Sequence, residues 1–271
     1  MLPMERDRVI TLTTDFGLED PFVGVMKGVI LSIAPDATLV DLNHGVAPHD
    51  ISAAALTIGM NYRFFPERTV HLVVVDPGVG SRRRPILVAA ENHYFVGPDN
   101  GVFSMVYGRE KNTPRVYHIT AEGYFLRKKS PTFQGRDVFA PVAAWLATGT
   151  NVEDFGEPIT DFERIDLPLP KVGSGFIRGE IILIDKFGNC IANISQAEID
   201  ELQRQRPGAE LAVYLEGMKV PLRQYYGQAK TGTLAALINS SDYLEFFRNR
   251  ESAAVRSRIR VGQKVEMKFS S

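Results

Sequence analysis

A single cysteine, Cys190, stands among 271 residues. That excludes an internal disulfide and any cysteine-rich metal site, and it fits a reducing cytoplasm. An excess of either charge is lacking too. With 31 Lys and Arg against 32 Asp and Glu the formal net charge is -1, which supplies no field to gather nucleic acid or an anionic membrane surface. No apolar run approaches the roughly 20 residues that a membrane-spanning helix needs. The segment Met1 to Arg8 is short and charged, without the apolar stretch of a secretory signal, so secretion is not expected. Repeats and low-complexity tracts are absent as well. What remains is a composition that is 44% hydrophobic, enough at this length to fill a sizeable core and to form two domains.

The first part of the chain alternates strand and helix signals, which predicts a layered α/β domain with a central, mostly parallel sheet. Val9 to Thr13 reads as a strand; Phe22, Val25, Met26, Val29, Ile30 and Ile33 then fall at helical spacing. Thr38 to Leu42 is a second strand, and Asp50 is placed to cap a helix from Ile51 to Met60. Strands are predicted over Thr69 to Val75, Ile86 to Ala90 and Tyr94 to Val96, followed by a turn at Pro98-Asp99-Asn100-Gly101. A last helix, Val138 to Ala147, carries the only tryptophan, Trp145, expected in the core. The stretch 167–175 mixes proline with glycine and reads as a linker between domains over 1–166 and 176–271. Beyond it the predicted strands are short: Gly179 to Ile184, Leu211 to Leu215, Thr233 to Ile238 and Lys264 to Phe269. They make a small β domain, and the charge-dense stretch Arg248 to Arg260 is expected to be a solvated face.

Chemistry concentrates where strands end. Val73-Val74-Val75-Asp76-Pro77-Gly78-Val79-Gly80-Ser81-Arg82-Arg83-Arg84 carries a β-branched run straight into a carboxylate, a glycine turn and three guanidinium groups. Ligands collect beyond the carboxyl ends of buried parallel strands, so Asp76 and Arg83 are candidate site residues. The plainer reading is a common Asp-Pro-Gly turn followed by solvated arginines. Further polar clusters tip the balance: Asp15 with Asp20, Thr132-Phe133-Gln134-Gly135-Arg136-Asp137, Asp185-Lys186-Phe187-Gly188-Asn189, and Asn239-Ser240-Ser241 after an apolar strand. A carboxylate can accept from both hydroxyls of a ribose. An aromatic beside an amide can hold a flat base by its face and its edge.

Taken in order, Thr13-Thr14-Asp15-Phe16-Gly17, Val75-Asp76-Pro77-Gly78-Val79-Gly80, Phe95-Val96-Gly97-Pro98-Asp99-Asn100-Gly101-Val102-Phe103 and Gly135-Arg136-Asp137-Val138-Phe139-Ala140-Pro141 resemble the S-adenosylmethionine hydroxide adenosyltransferase family. The likeness continues through Asp185-Lys186-Phe187-Gly188-Asn189 and Asn239-Ser240-Ser241, so it covers nearly the whole chain. The family includes hydrolytic relatives of the fluorinating and chlorinating enzymes. The resemblance implies an N-terminal α/β domain, a C-terminal β-barrel domain and a homotrimer with active sites between one subunit's N-domain and its neighbour's C-domain. It further implies attack of water or hydroxide on C5′ of S-adenosylmethionine, with adenosine and methionine as products and no cofactor or metal. Carried over by motif, Asp15 is the ribose clamp and Asp185 the partner of the methionine ammonium. Phe187 and Asn189 become the adenine contacts, and Ser240 with Ser241 the methionine carboxylate site. His49 lies where relatives often place an aromatic near the ribose. Asp76 and Arg83 match two members of an Asp-Arg-His set that positions the attacking water.

The third member departs. The family motif has histidine where this chain has Gln134. Glutamine hydrogen-bonds water but cannot take a proton near neutral pH. Three accounts stay open at this point: a substitution introduced to trap a ligand, a slower natural variant, or a protein that binds without hydrolysing. A halide-dependent transferase is the other alternative; the carboxylate of Asp76 argues against it, since it repels halide. The spacing of His44 and His49, with Pro48 between, does not fit a regular metal site, and His71, His93 and His118 sit in strand patterns as structural residues.

Overall fold

The computed structural model describes residues 8–270, so residues 1–7 of the segment expected to lack a secretory signal lie outside the described residues. The chain divides after Leu167 into two compact units. No helix among the described residues is long and apolar enough to cross a membrane.

The first unit contains strands β1 (Val9–Thr14), β2 (Thr38–Asn43), β3 (Val70–Val74), β4 (Pro85–Ala89), β5 (Tyr94–Pro98), β6 (Arg115–His118) and β7 (Pro158–Ile159). Its helices are α1 (Phe22–Ile33), α2 (Ile51–Asn61), α3 (Ser104–Arg109) and α4 (Ala140–Ala147), the last entered through a π-helical turn over Gly135–Phe139. The seven strands form one sheet in the order β2-β1-β3-β5-β4-β6-β7. β2, β1, β3 and β5 run parallel, and β4, β6 and β7 extend the sheet by antiparallel pairing.

Strand β3 shows why the sequence there is unbroken. Successive side chains point to opposite faces, so Leu72 and Val74 enter the core packed with Met26, Ile30, Phe139 and Val142. Val73 and Val75 enter the other core, with Ala54, Ile58, Phe95 and Phe103. Helices thus cover both faces, and nothing on the strand is left for solvent. The expected cap is present, as the Asp50 carboxylate accepts the Ala53 N–H at 2.8 Å. Trp145 corrects the expectation of a core tryptophan: it is 37% exposed, edge-on to Tyr124. Helical spacing turns Val142, Ala143 and Leu146 inward on α4 and leaves position 145 outside.

The second unit contains β8 (Lys171–Gly173), β9 (Phe176–Ile184), β10 (Cys190–Ser195), β11 (Leu211–Leu215), β12 (Met218–Val220), β13 (Leu234–Ile238), β14 (Tyr243–Arg248) and β15 (Lys264–Phe269), with helices α5 (Gln196–Gln205) and α6 (Ala253–Arg256). The antiparallel order is β12-β11-β15-β9-β10-β14-β13, with β8 on β9. The chain after β12 returns to β13 through Arg223 N–H to Ala236 O at 2.8 Å and Ala236 N–H to Pro221 O at 2.9 Å. Those bonds bring the two edges together into a nearly closed barrel, which removes most exposed edge. Ile177, Ile181, Cys190, Val213, Leu244, Phe246 and Met267 fill its core.

Here the structure adds to and corrects the sequence reading. β10, β12 and β14 were not expected, nor was α5, which begins with a capping box between Ser195 and Glu198. Inside the stretch read as a linker, Lys171–Gly173 pairs with Phe176–Ile184, with Gly175 at φ 84° in the tight turn between them. Arg248 to Arg260 is not simply a solvated face. Arg248 pairs with Glu251 at 3.0 Å, and Ala253 and Ile259 are buried.

Candidate active site

In the first unit the carboxyl ends of β1 and β3 and the turn leading into α4 surround a cleft of about 360 Å³. Asp15, His49, Asp76 and Gln134 all line it, together with Phe16, Phe22 and Phe133. The three phenyl rings pack against one another at centroid distances of 5.3–6.0 Å and give the cleft an aromatic wall. Asp15 accepts the His49 N–H at 2.9 Å, and His49 holds φ 67°, a left-handed conformation that this contact helps to fix. Asp20 also lines the cleft but is exposed.

The two arginines after β3 separate cleanly. Arg83 forks onto Asp76, Nε to Oδ1 at 2.8 Å and Nη2 to Oδ2, in a bidentate pair with side chains 8% and 5% exposed. Its guanidinium also lies over the Phe139 ring at 5.2 Å. Arg84 faces elsewhere, donating to Asp99 at 2.9 Å and to the side chain and carbonyl of Asp161 at 2.8 Å, which is a structural tie between loops. Arg82 is exposed. The loop in between is set by Gly80 at φ 77°, where a side-chain carbon would stand 2.8 Å from the Pro131 carbonyl. Asn100, in the predicted turn, donates to the Val75 carbonyl at 2.9 Å and steadies the strand end that carries Asp76.

Gln134 sits just before the π-helical turn. At Gly135 beside it a methyl would lie 3.2–3.3 Å from Met26, Phe133 and Val74, so those side chains would have to give by a few tenths of an ångström. Asp137, fully buried, holds the preceding loop by accepting the Ser130 N–H at 2.6 Å and pairing with Arg136. Among the described residues, buried side-chain atoms without a partner are Thr13 Oγ1, Arg83 Nη1 and Gln134 Oε1. Buried polar atoms are nearly always satisfied, so these three stand out; Gln134 is a cleft-lining residue and Arg83 belongs to the ion pair at the cleft. His44 is not part of it. The ring bonds Thr14 Oγ1 at 2.8 Å and Asp41 at 2.9 Å and ties β1 to the end of β2. No group of three or more potential metal ligands occurs among the described residues.

The second unit has its own pocket of about 680 Å³, lined by Asp185, Phe187, Asn189, Tyr226, Asn239, Ser240 and Glu245 among others. Asp185 closes an Asx-type turn: Oδ1 accepts the N–H groups of Phe187 at 2.9 Å and Asn189 at 2.8 Å, and Oδ2 accepts Asn189 Nδ2 at 3.0 Å. Gly188 makes the turn possible at φ 82°, with Ser252 so close that a side-chain carbon would meet its hydroxyl at 2.0 Å. The turn thrusts Phe187 into solvent as an exposed ring. Ser241 adjoins the pocket in the turn between β13 and β14 but does not line it.

Glu245 and Tyr226 belong to this pocket and were missed in the sequence. Glu245 is 3% exposed, accepting Tyr226 Oη–H at 2.8 Å and Asn239 Nδ2 at 3.2 Å. Burial, with the neighbouring Asp185 charge, pushes its carboxyl above the usual range. A signal existed: a lone carboxylate inside Tyr243-Leu244-Glu245-Phe246-Phe247 is out of place unless it is partnered.

Residues 10–156 match the SAM hydroxide adenosyltransferase N-terminal domain and residues 179–266 match the C-terminal domain of that family. An (R)-S-adenosyl-L-methionine hydrolase of Thermus thermophilus is 33% identical over 276 residues, covering 96% of this chain and 99% of that protein. A protein of the same name from Salinispora arenicola is 37% identical over 198 residues, covering 72% and 75%. A fluorinase of Nocardia brasiliensis is more distant, at 27% over 296 residues and 97% of each. Among solved structures, an uncharacterized conserved protein from Thermotoga maritima superposes with a TM-score of 0.88 at 32% identity, covering 96% of this chain and 99% of that one.

Proposed function

The chain belongs to the SAM hydroxide adenosyltransferase family, and we propose that it hydrolyses S-adenosyl-L-methionine to adenosine and L-methionine. The observation that carries this reading is the buried Asp76–Arg83 fork, whose carboxylate lines a cleft that Gln134 lines as well. The sulfonium is already a good leaving group. The protein's task is to hold a water in line with the C5′–S bond and strip part of its hydration. Asp76 accepts from that water, the Gln134 amide hydrogen-bonds it, and together they aim its lone pair at C5′. As the O–C5′ bond forms, the C5′–S electron pair leaves on sulfur as the methionine thioether, and the water's proton passes through Asp76 to solvent. Arg83 keeps the Asp76 carboxylate fixed in a low-dielectric setting, where such orientation is most effective. No step calls on a metal or cofactor.

Asp15 grips the ribose, with His49 beside it. Asp185 meets the methionine ammonium, Phe187 and Asn189 the adenine, and Ser240 with Ser241 the carboxylate. The working assembly is a homotrimer with active sites at subunit interfaces, acting in the cytoplasm, and the two units serve as its N- and C-terminal domains. A second reading, binding without turnover, draws on Gln134, which cannot take a proton.

One experiment separates the readings. The protein is incubated with S-adenosylmethionine, with and without chloride, and the products are resolved by chromatography, with light scattering on the same sample. Adenosine and methionine in equal amounts, independent of chloride, from a particle three times the monomer mass is the expected result. A 5′-halo-5′-deoxyadenosine overturns hydrolysis in favour of halide transfer. Tight binding with no product overturns it in favour of the binder, and a stable monomer with full activity overturns the trimer.

A further inference from the structure

The β13–β14 turn is held from beneath. Asn239 Oδ1 accepts the N–H groups of Ser241 at 3.0 Å and Tyr243 at 3.1 Å, while its Nδ2 donates to Glu245 Oε2 at 3.2 Å. This arrangement admits one orientation of the amide. A flip would set NH₂ against two N–H donors and the amide oxygen against a carboxylate. Tyr226, another pocket-lining residue, donates to the other Glu245 oxygen at 2.8 Å. The turn itself needs such support, because Asp242 holds φ 64° without being glycine, a conformation of limited stability for a residue with a side chain.

From this chain of contacts we propose that Glu245 is a positioning residue: buried in the pocket wall, it locks Asn239 and through it the Ser240–Ser241 turn in the geometry that receives the amino-acid end of the substrate. The inference rests on the reading of Ser240 and Ser241 given above. On this reading Glu245 acts through Asn239 and Tyr226, its two hydrogen-bond partners. Its two oxygens act as acceptors that fix a neutral amide and a phenol. Glutamine therefore serves at this position, because its Oε1 accepts from Asn239 and its Nε2 donates to the Tyr226 oxygen, which rotates to accept.

The test compares two ligands by calorimetry on the full-length protein. Adenosine lacks the amino-acid tail. S-adenosylhomocysteine carries it on a sulfur that is not a leaving group. Glu245→Ala is expected to weaken S-adenosylhomocysteine about tenfold or more, the scale of a lost hydrogen-bonding geometry, and adenosine by less than about threefold. Should the alanine variant fail to fold, Glu245→Met fills the volume without accepting and carries the same comparison. Glu245→Gln is expected to bind both ligands within about threefold of the unaltered protein. Equal weakening of the two ligands, or none, in the Ala or Met variant overturns the inference, as does a Gln variant that behaves like Met. If the unaltered protein binds neither ligand, the functional reading fails and takes this one with it. Binding by the unaltered protein with an unchanged ratio in the variants sinks the inference alone.

Discussion

The cleft in the first unit and the pocket in the second both form at strand ends, yet they use their carboxylates in opposite ways. Asp76 is held by another side chain, the Arg83 fork, and the cleft beside it keeps polar atoms with capacity to spare. Asp185 and Glu245 are held by neutral donors, the N–H groups of a local turn in one case and a phenol with an amide in the other. Among the described residues, the unpartnered buried side-chain atoms all belong to the first unit. The difference teaches a division of labour. On the proposed function, the first unit holds a charge where a reacting atom would be handled, and the second holds a shape that a ligand would be measured against.

The largest effect that tests this division is a gain. Gln134→His is expected to raise adenosine formation by about 10²–10⁴-fold if the imidazole moves a proton, and by less if it only orients water. Single-turnover rates at saturating S-adenosylmethionine across pH 5 to 8 decide between these. A rate that follows imidazole titration near 6.5 in the His form alone means proton transfer. Equal rates in the two forms would remove Gln134 from the catalytic set.

Next in size are losses at the ion pair. Asp76→Ala and Arg83→Ala are each expected to lower turnover by roughly 10²–10³-fold while adenosine affinity stays within about tenfold. Each also strands a buried charge, at a cost of about 3–5 kcal/mol in stability, so denaturant unfolding is measured alongside. Loss of adenosine affinity with turnover intact would reverse the assigned roles.

The smallest effect is on stability, and it has opposite signs in the two units. Burial, with some repulsion from His93, pushes His71 down from 6.5 to about 3, so the imidazole is neutral in the fold and bonds Thr11 at 2.8 Å. As pH falls from about 6.5 toward 3 the unfolded chain takes up the proton first, and the first unit loses up to about 1.4 kcal/mol per pH unit from this group. Glu245 is raised by burial, so acid favours its folded form, with the full benefit present below its ordinary value of 4.5. Hydrogen exchange read separately for each unit between pH 7 and 5 should show the first loosening more than the second, with His71→Gln flattening that slope. Parallel loosening of the two units would break the comparison.

Much of this was legible in the residues. Asp50 before a helix, glycine at positions 80 and 188 and the unbroken valines of β3 announce themselves locally, because propensity, capping and two-sided burial act within a few residues. Asp15, Asp76, Gln134, Asp185 and Asn189 were singled out by order along the chain, and the structure sets the first three on one cleft and the last two on one pocket. β10, β12 and β14 were less legible, since short barrel strands owe their stability to neighbours distant in sequence.

By itself the sequence determined the Asp50 cap, the main turns and the buried strands of the first unit, and which ordered motifs mark the family. The motif singled out Arg83 among three adjacent arginines, but only the tertiary structure supplied the partners that separate them. Arg84 is claimed by Asp161, 77 residues away, and Arg83 by Asp76. It alone turned Trp145 outward and gave Glu245 its partners. The reason is physical. Local conformation follows from adjacent side chains, whereas the partner of a charge or an amide is whatever group the fold brings within about 3 Å of it.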